Sequence, residues 1–127
     1  MSNLNSSGLN FDIPIFTKSY ELYKIFYSYL PVFPKKDRYT LGQKCENILL
    51  DLVEAIMLAS SLTKQEKSPI LKRASLKLDL LKVLFRLGKD LKILDNKKYL
   101  VLEGYLQEIG RMLGGWIKTT NTDTILK

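Results

Sequence analysis

The chain has 127 residues, 46% of them hydrophobic, enough for one domain with a real core and too apolar for a disordered chain. It has no histidine and one cysteine, Cys45, which removes the usual zinc sites, Cys–His nucleophiles and any intrachain disulfide. Twenty Lys and Arg against 13 Asp and Glu leave a net charge of +7, which points to a polyanionic partner or to a basic surface that serves only solubility.

Residues 1–12 are rich in Ser and Asn and read as a flexible tail, with Leu9, Phe11 and the following Ile13 able to dock. They lack the basic start and apolar centre of a secretion signal, and no apolar run approaches the ~18 residues of a membrane span. The expectation is a cytoplasmic protein without membrane contact.

The first helix is expected from about Pro14, a good first helical residue, to Leu30. Phe16, Tyr20, Tyr23, Tyr27 and Leu30 form one stripe at helical spacing, and Ile15, Leu22, Phe26 and Tyr29 form another. A helix apolar on two sides is buried on two sides, within the subunit and against a neighbour. The tyrosines are able to stack on bases, but their heptad spacing favours core or interface packing. Pro31 and Pro34 end the helix, and Lys35, Lys36, Asp37 and Arg38 form a charged loop and a second basic patch.

Thr40 and Gln43 fit a capping box at the start of the second helix. Its core stripe is Leu41, Cys45, Ile48, Leu52, Ala55, Ala59 and Leu62, with Cys45 as inert packing and Asp51 and Glu54 on solvated faces. Residues 64–67 read as a turn, with Ser68 and Pro69 opening the third helix. Leu71, Ala74, Leu78, Leu81, Phe85 and Gly88 make its inner stripe, and Leu80, Leu84, Leu87 and Leu91 a second. Asp95 caps a fourth helix whose stripe is Tyr99, Leu102, Leu106, Ile109, Leu113 and Trp116. Short connections between four such helices predict an all-α, antiparallel up-down four-helix bundle over residues 13–118, with 119–127 as a second flexible tail.

The third helix carries most of the charge. Over residues 68–92, seven cations face Asp79 and Asp90, a net +5 of the chain's +7. Lys82, Arg86 and Lys89 stand at i, i+4 and i+7 and so point the same way; Lys72, Arg73 and Lys77 add to the count. Phosphate recognition needs such a row of long cations on a rigid element, because each contact is weak and the sum is large. With acids scarce on this face, a nucleic-acid or acidic partner is favoured over an ordinary solvated helix. No phosphate loop, nucleophile elbow or polymerase carboxylate pair occurs, so no catalytic residues, metal ligands or cofactor are expected.

The fourth helix contains the most distinctive string, Gly110-Arg111-Met112-Leu113-Gly114-Gly115-Trp116-Ile117-Lys118. Each interior glycine costs a helix roughly 1 kcal/mol against alanine. Because Ile109, Leu113 and Trp116 continue the core stripe, close helix packing at Gly110 and Gly114 explains them better than helix termination. Gly110, Gly114 and Trp116 are read as architectural.

That string and Arg38-Tyr39-Thr40-Leu41-Gly42, together with the two-proline turn and the basic third helix, resemble the accessory variability determinant (Avd) of bacterial diversity-generating retroelements. More broadly the chain is similar to the four-helix-bundle proteins encoded in intervening sequences of bacterial large-subunit ribosomal RNA genes. The resemblance covers about residues 13–118. It implies a homopentameric, basic, non-enzymatic barrel that partners the retroelement's reverse transcriptase and binds template RNA, supporting cDNA synthesis in mutagenic retrohoming. The family's positive binding positions fall best on Lys82 and Arg86, with Lys89; Lys72, Arg73 and Lys77 follow on charge alone. Where the family has more arginine on this helix, lysine dominates here, and lysine meets phosphate as a point charge rather than a fork. The alternative is an intervening-sequence-type oligomer with a structural or acidic-partner role.

Overall fold

The computed structural model describes residues 14–126, with side chains described to residue 121. Four long helices account for most of it: α1 (Pro14–Tyr29), α2 (Gln43–Ser60), α3 (Lys64–Asp90) and α4 (Asn96–Leu126). They form a helical bundle in which α1 packs on α2 and α4, and α3 packs on α2 and α4. No strand occurs among the described residues. The expected N-terminal tail, residues 1–12, and the docking residue Ile13 lie outside the described residues.

Each helix buries one stripe. On α3 it is the six residues read from the sequence, Leu71, Ala74, Leu78, Leu81, Phe85 and Gly88. On α4, Leu102, Leu106, Ile109 and Leu113 are buried and Tyr99 and Trp116 lie at the margin. On α2, Leu49 and Ile56 join Cys45, Ile48, Leu52 and Ala59. Burial pushes the Cys45 thiol up to about 12, so it stays a protonated packing group. The α1 core runs through Ile15, Ser19, Leu22 and Phe26. Ser19 fits there because its hydroxyl donates to the Phe16 carbonyl at 2.9 Å. Phe26 stacks on Phe85 at 5.5 Å and meets Phe33 edge-on at 5.8 Å, joining α1, α3 and the first connection across the core.

Several local expectations are corrected. Of the stripe expected to pack in the core or at an interface, Tyr20 and Tyr27 are exposed in the single chain, while Phe16 and Tyr23 are half-buried, Tyr23 donating to Glu46 at 2.9 Å. Thr40 makes no cap: its hydroxyl donates to the Lys36 carbonyl, and Arg38–Gly42 forms a π-helical turn into α2. Residues 64–67 are helical instead of a turn. The capping box is Thr63 with Glu66, each side chain satisfying the other's backbone N–H, which places Pro69 inside α3 rather than at its start. At the far end α4 runs beyond residue 118 to Leu126, and Thr120 is buried.

The first connection explains the Arg38–Gly42 string in physical terms. Arg38 donates to the carbonyls of Phe33 (3.2 Å) and Pro31 (2.8 Å), tying down a turn whose prolines leave carbonyls unpaired. A β-carbon on Gly42 would lie 2.9 Å from Leu30 Cδ2 and 3.2 Å from the Asp37 carbonyl oxygen, so a larger residue would crowd backbone as well as side chain where this turn meets the end of α1.

Candidate nucleic-acid interface

The core stripe of α3 fixes where its other side chains point. Lys82 and Lys89 leave the helix on the side of α4, with Arg86 beside them. A β-carbon on Gly110 would sit 4.0 Å from the Lys82 ammonium, and the Lys89 ammonium lies 4.9 Å from the Tyr99 ring centroid. Lys77 leaves on the opposite side, where it pairs with Asp51 of α2 at 3.3 Å. Arg73 and Lys77 share a cleft of about 340 Å³ there with Asp51, Glu54 and Leu58. Lys72 is exposed. The structure therefore brings Lys82, Arg86 and Lys89 together and sets Arg73 and Lys77 apart from them.

What separates the two groups is apolar. Leu76 is 69% exposed and Val83 63%, and Leu80, Leu87 and Leu91 continue the same outward face. The outer surface of α3 is thus a leucine- and valine-rich ridge flanked by cations. Of the second stripe read from the sequence, Leu80, Leu87 and Leu91 are left uncovered in the single chain, whereas Leu84 is half-buried against the core.

The acids on α3, few as they are, sit beside two of the cations expected to bind, Lys82 and Arg86. Lys82 lies 3.8 Å from Asp79, and Arg86 Nε donates to Asp90 Oδ1 at 3.2 Å. The hydrogen bond to Asp90, followed by its charge, raises the Arg86 guanidinium above its ordinary value, so it is permanently cationic. Such exposed pairs contribute ~0–1 kcal/mol and are screened by salt, so a phosphate is able to displace the carboxylate. The Lys82–Arg86–Lys89 cluster is a partly neutralised basic strip, not the unopposed row its composition suggests. The i,i+3 and i,i+4 spacings of Asp79 and Asp90 were the signal available in the sequence.

Of the glycines, Gly110 fits close packing: its β-carbon position lies 3.3 Å from Leu78 Cδ2, so α3 and α4 approach tightly there. Gly114 does not, since nothing lies within 4 Å of its β-carbon position, and Gly104 and Gly115 are equally open. Trp116 packs at the edge of the core beneath the Lys67 ammonium, 5.3 Å from a ring centroid. Among the described residues no three His, Cys, Asp or Glu side chains are grouped to hold a metal ion, and no helix is long and apolar enough to cross a membrane.

A second concentration of cations, which the sequence reading assigned only in part, lies where α1 meets α2 and α3 meets α4. Lys89, Lys92 and Lys98 line a cleft of about 510 Å³ with Val32, Ile93, Leu94 and Asn96. Asp95 caps α4 from its rim: its carboxylate accepts the Lys98 backbone N–H at 2.8 Å and pairs with the Lys98 ammonium at 3.3 Å. Those contacts hold the Asp95 carboxyl below the usual aspartate value, the backbone hydrogen bond being the larger cause.

A comparison with curated proteins gave no match. The profile of the bAvd-like family, whose members are accessory and non-catalytic, matches residues 15–120, from the first core residue of α1 to the buried Thr120 of α4. With the match spanning all four helices, the chain belongs to the bAvd-like family.

Proposed function

We propose that this protein is the non-catalytic accessory subunit of a diversity-generating retroelement, binding its reverse transcriptase and template RNA to support cDNA synthesis in mutagenic retrohoming. The observation that carries the reading is the family match across residues 15–120. The net charge of +7 and the Lys82, Arg86, Lys89 strip support a polyanionic partner. In this reading the helices alternate in direction as an up-down bundle, supported by pairings such as Lys18 with Glu108 and Lys98 over Tyr29, which set α1 and α4 head to tail. The protein acts in the cytoplasm as a homo-oligomer, a pentamer on the family resemblance. The exposed ridge of α3 and the exposed Tyr20 and Tyr27 of α1 give a neighbouring copy apolar surface to cover. Five copies of +7 make a ring of formal charge +35.

The test is binding of the cognate reverse transcriptase and of labelled RNA over a salt series by the wild type and by Lys82→Ala/Arg86→Ala. The double variant is expected to keep fold and assembly while RNA affinity falls and its salt dependence becomes shallower by about 1.4, two phosphates' worth on a single strand. Wild-type protein that binds neither polymerase nor RNA refutes the reading and leaves a structural oligomer of the intervening-sequence type.

A further inference from the structure

The bundle end formed by residues 30–42 and 89–98 is strongly basic. The first segment holds Lys35, Lys36 and Arg38 against Asp37, and the second Lys89, Lys92, Lys97 and Lys98 against Asp90 and Asp95. Together they carry +4 of the chain's +7, whereas residues 61–69, from the end of α2 into the first turns of α3, carry +1. The two segments are in contact: Val32 lines the cleft with residues 89–98, the Lys98 ammonium lies 5.6 Å from the Tyr29 ring centroid, and a β-carbon on Gly88 would sit 3.6 Å from Leu41 Cδ2.

The charges there differ in availability. Arg38 is held by the carbonyls of Pro31 and Phe33, Asp90 by Arg86, and Asp95 by Lys98 and the start of α4. Lys35, Lys36, Lys92 and Lys97 have no ion-pair partner among the described residues. Lys92 takes a left-handed conformation, φ 63°, that turns the chain out of α3; the N–H groups of Ile93 and Leu94 then donate to the Gly88 carbonyl and fix the loop. Of these lysines, Lys92 lines the cleft, together with Lys89 and Lys98; the cleft's apolar wall is Val32, Ile93 and Leu94, and its rim is Asp95 and Asn96. Its size lies within the ~300–1,000 Å³ of small-ligand pockets. Ammonium groups around an apolar slot suit an unstacked nucleotide, whose base needs a non-polar face and whose phosphates need cations.

We propose that this bundle end is a second nucleic-acid contact, where single-stranded RNA lays its phosphates along Lys35, Lys36, Lys92 and Lys97 and seats one base against Val32 and Ile93. The inference rests on reading the protein as RNA-binding and assigns that binding to a surface apart from Lys82 and Arg86. It differs from Lys82 and Arg86, each of which stands beside an acid, in having lysines without an ion-pair partner among the described residues and a cleft at their side.

The experiment measures binding of the full chain to a labelled single-stranded RNA, and to a blunt duplex of equal length, by fluorescence anisotropy over a potassium chloride series. The variants are Lys82→Ala/Arg86→Ala and a quadruple, Lys35→Gln/Lys36→Gln/Lys92→Asn/Lys97→Gln. Asparagine is chosen at position 92 because it tolerates the left-handed backbone, and circular dichroism checks the fold of each. The quadruple variant is expected to lose at least tenfold in single-strand affinity at low salt, with a slope against log salt shallower by about 3, and to lose less on the duplex. If the wild type binds RNA while the quadruple variant matches it in affinity and slope, this site is overturned and the RNA-binding reading stands. Equal losses on duplex and single strand overturn the slot. Wild-type protein that binds no RNA overturns both.

Discussion

Replacing glycines one at a time along α4 separates packing from backbone entropy. Gly104 and Gly114 lie inside a helix with nothing within 4 Å of where a β-carbon would stand, so alanine at each adds no clash. Each change restores ~0.8–1 kcal/mol of helix propensity, and the two sites are ten residues apart, so the gains should add to about 2 kcal/mol. For a domain of this size that raises Tm by roughly 8 °C, at about 4 °C per kcal/mol. Gly110→Ala carries the same propensity gain, but the new methyl would meet Leu78 Cδ2 at 3.3 Å, and Leu78 is itself buried among core neighbours. Pushing on a packed leucine offsets the gain, so Gly110→Ala should fall at least about 1 kcal/mol below Gly114→Ala. Urea titrations followed by far-ultraviolet circular dichroism at one fixed protomer concentration give the ranking. Light scattering on the same samples shows whether assembly is intact. Gly110→Ala as stabilising as Gly114→Ala, with assembly unchanged, refutes the argument. Loss of assembly in Gly114→Ala alone would instead put a neighbouring backbone against that face of α4.

Two further outcomes test local chemistry. Thr63→Ala removes half of a reciprocal cap and is expected to cost about 1 kcal/mol in urea unfolding, while Thr40→Ala, whose hydroxyl serves only the Lys36 carbonyl, should cost less than half of that; equal costs would contradict the capping assignment. Asp95 is one residue through which acid should lower stability. Its folded value is depressed below the ordinary 3.8, so the stability it adds is complete above that pH and is lost as pH falls through the folded value. Asp95→Asn keeps a capping oxygen but not the titration, so the decline of Tm below about pH 3.8 should flatten while Tm at neutral pH changes little. An unchanged acid limb would show that other carboxylates dominate it.

The α3 core was fully legible because six apolar or small residues at one helical spacing have no competing face of equal regularity buried by the fold. On α1 two stripes of similar strength were visible, and periodicity alone does not say which turns inward. The answer depended on Ser19, a polar residue that joins the core by bonding its own helix and so carries no apolar signal. The start of α3 was misplaced because Ser68-Pro69 satisfies the usual N-terminal pattern, while Thr63 and Glu66 satisfy it five residues earlier with a better-matched pair. The basic stripe was legible as composition, but its division into two flanks by Leu76, Leu80, Val83 and Leu87 follows from which face the core claims. Gly114 looked like Gly110 in sequence. Only the position of Leu78 relative to α4 distinguishes them.

The placement of Trp116 gives the molecule a built-in optical reporter of one locale. Its ring sits under Lys67, in the first turn of α3, at the end of the bundle remote from Lys92 and Val32. As the sole indole, it should sense separation of α3 from the last turns of α4, whereas circular dichroism averages over every helix. If both signals change at the same urea concentration, the bundle melts as one unit. If fluorescence changes first, that end opens while the lysine-rich end stays closed, and each end of the bundle has its own local stability.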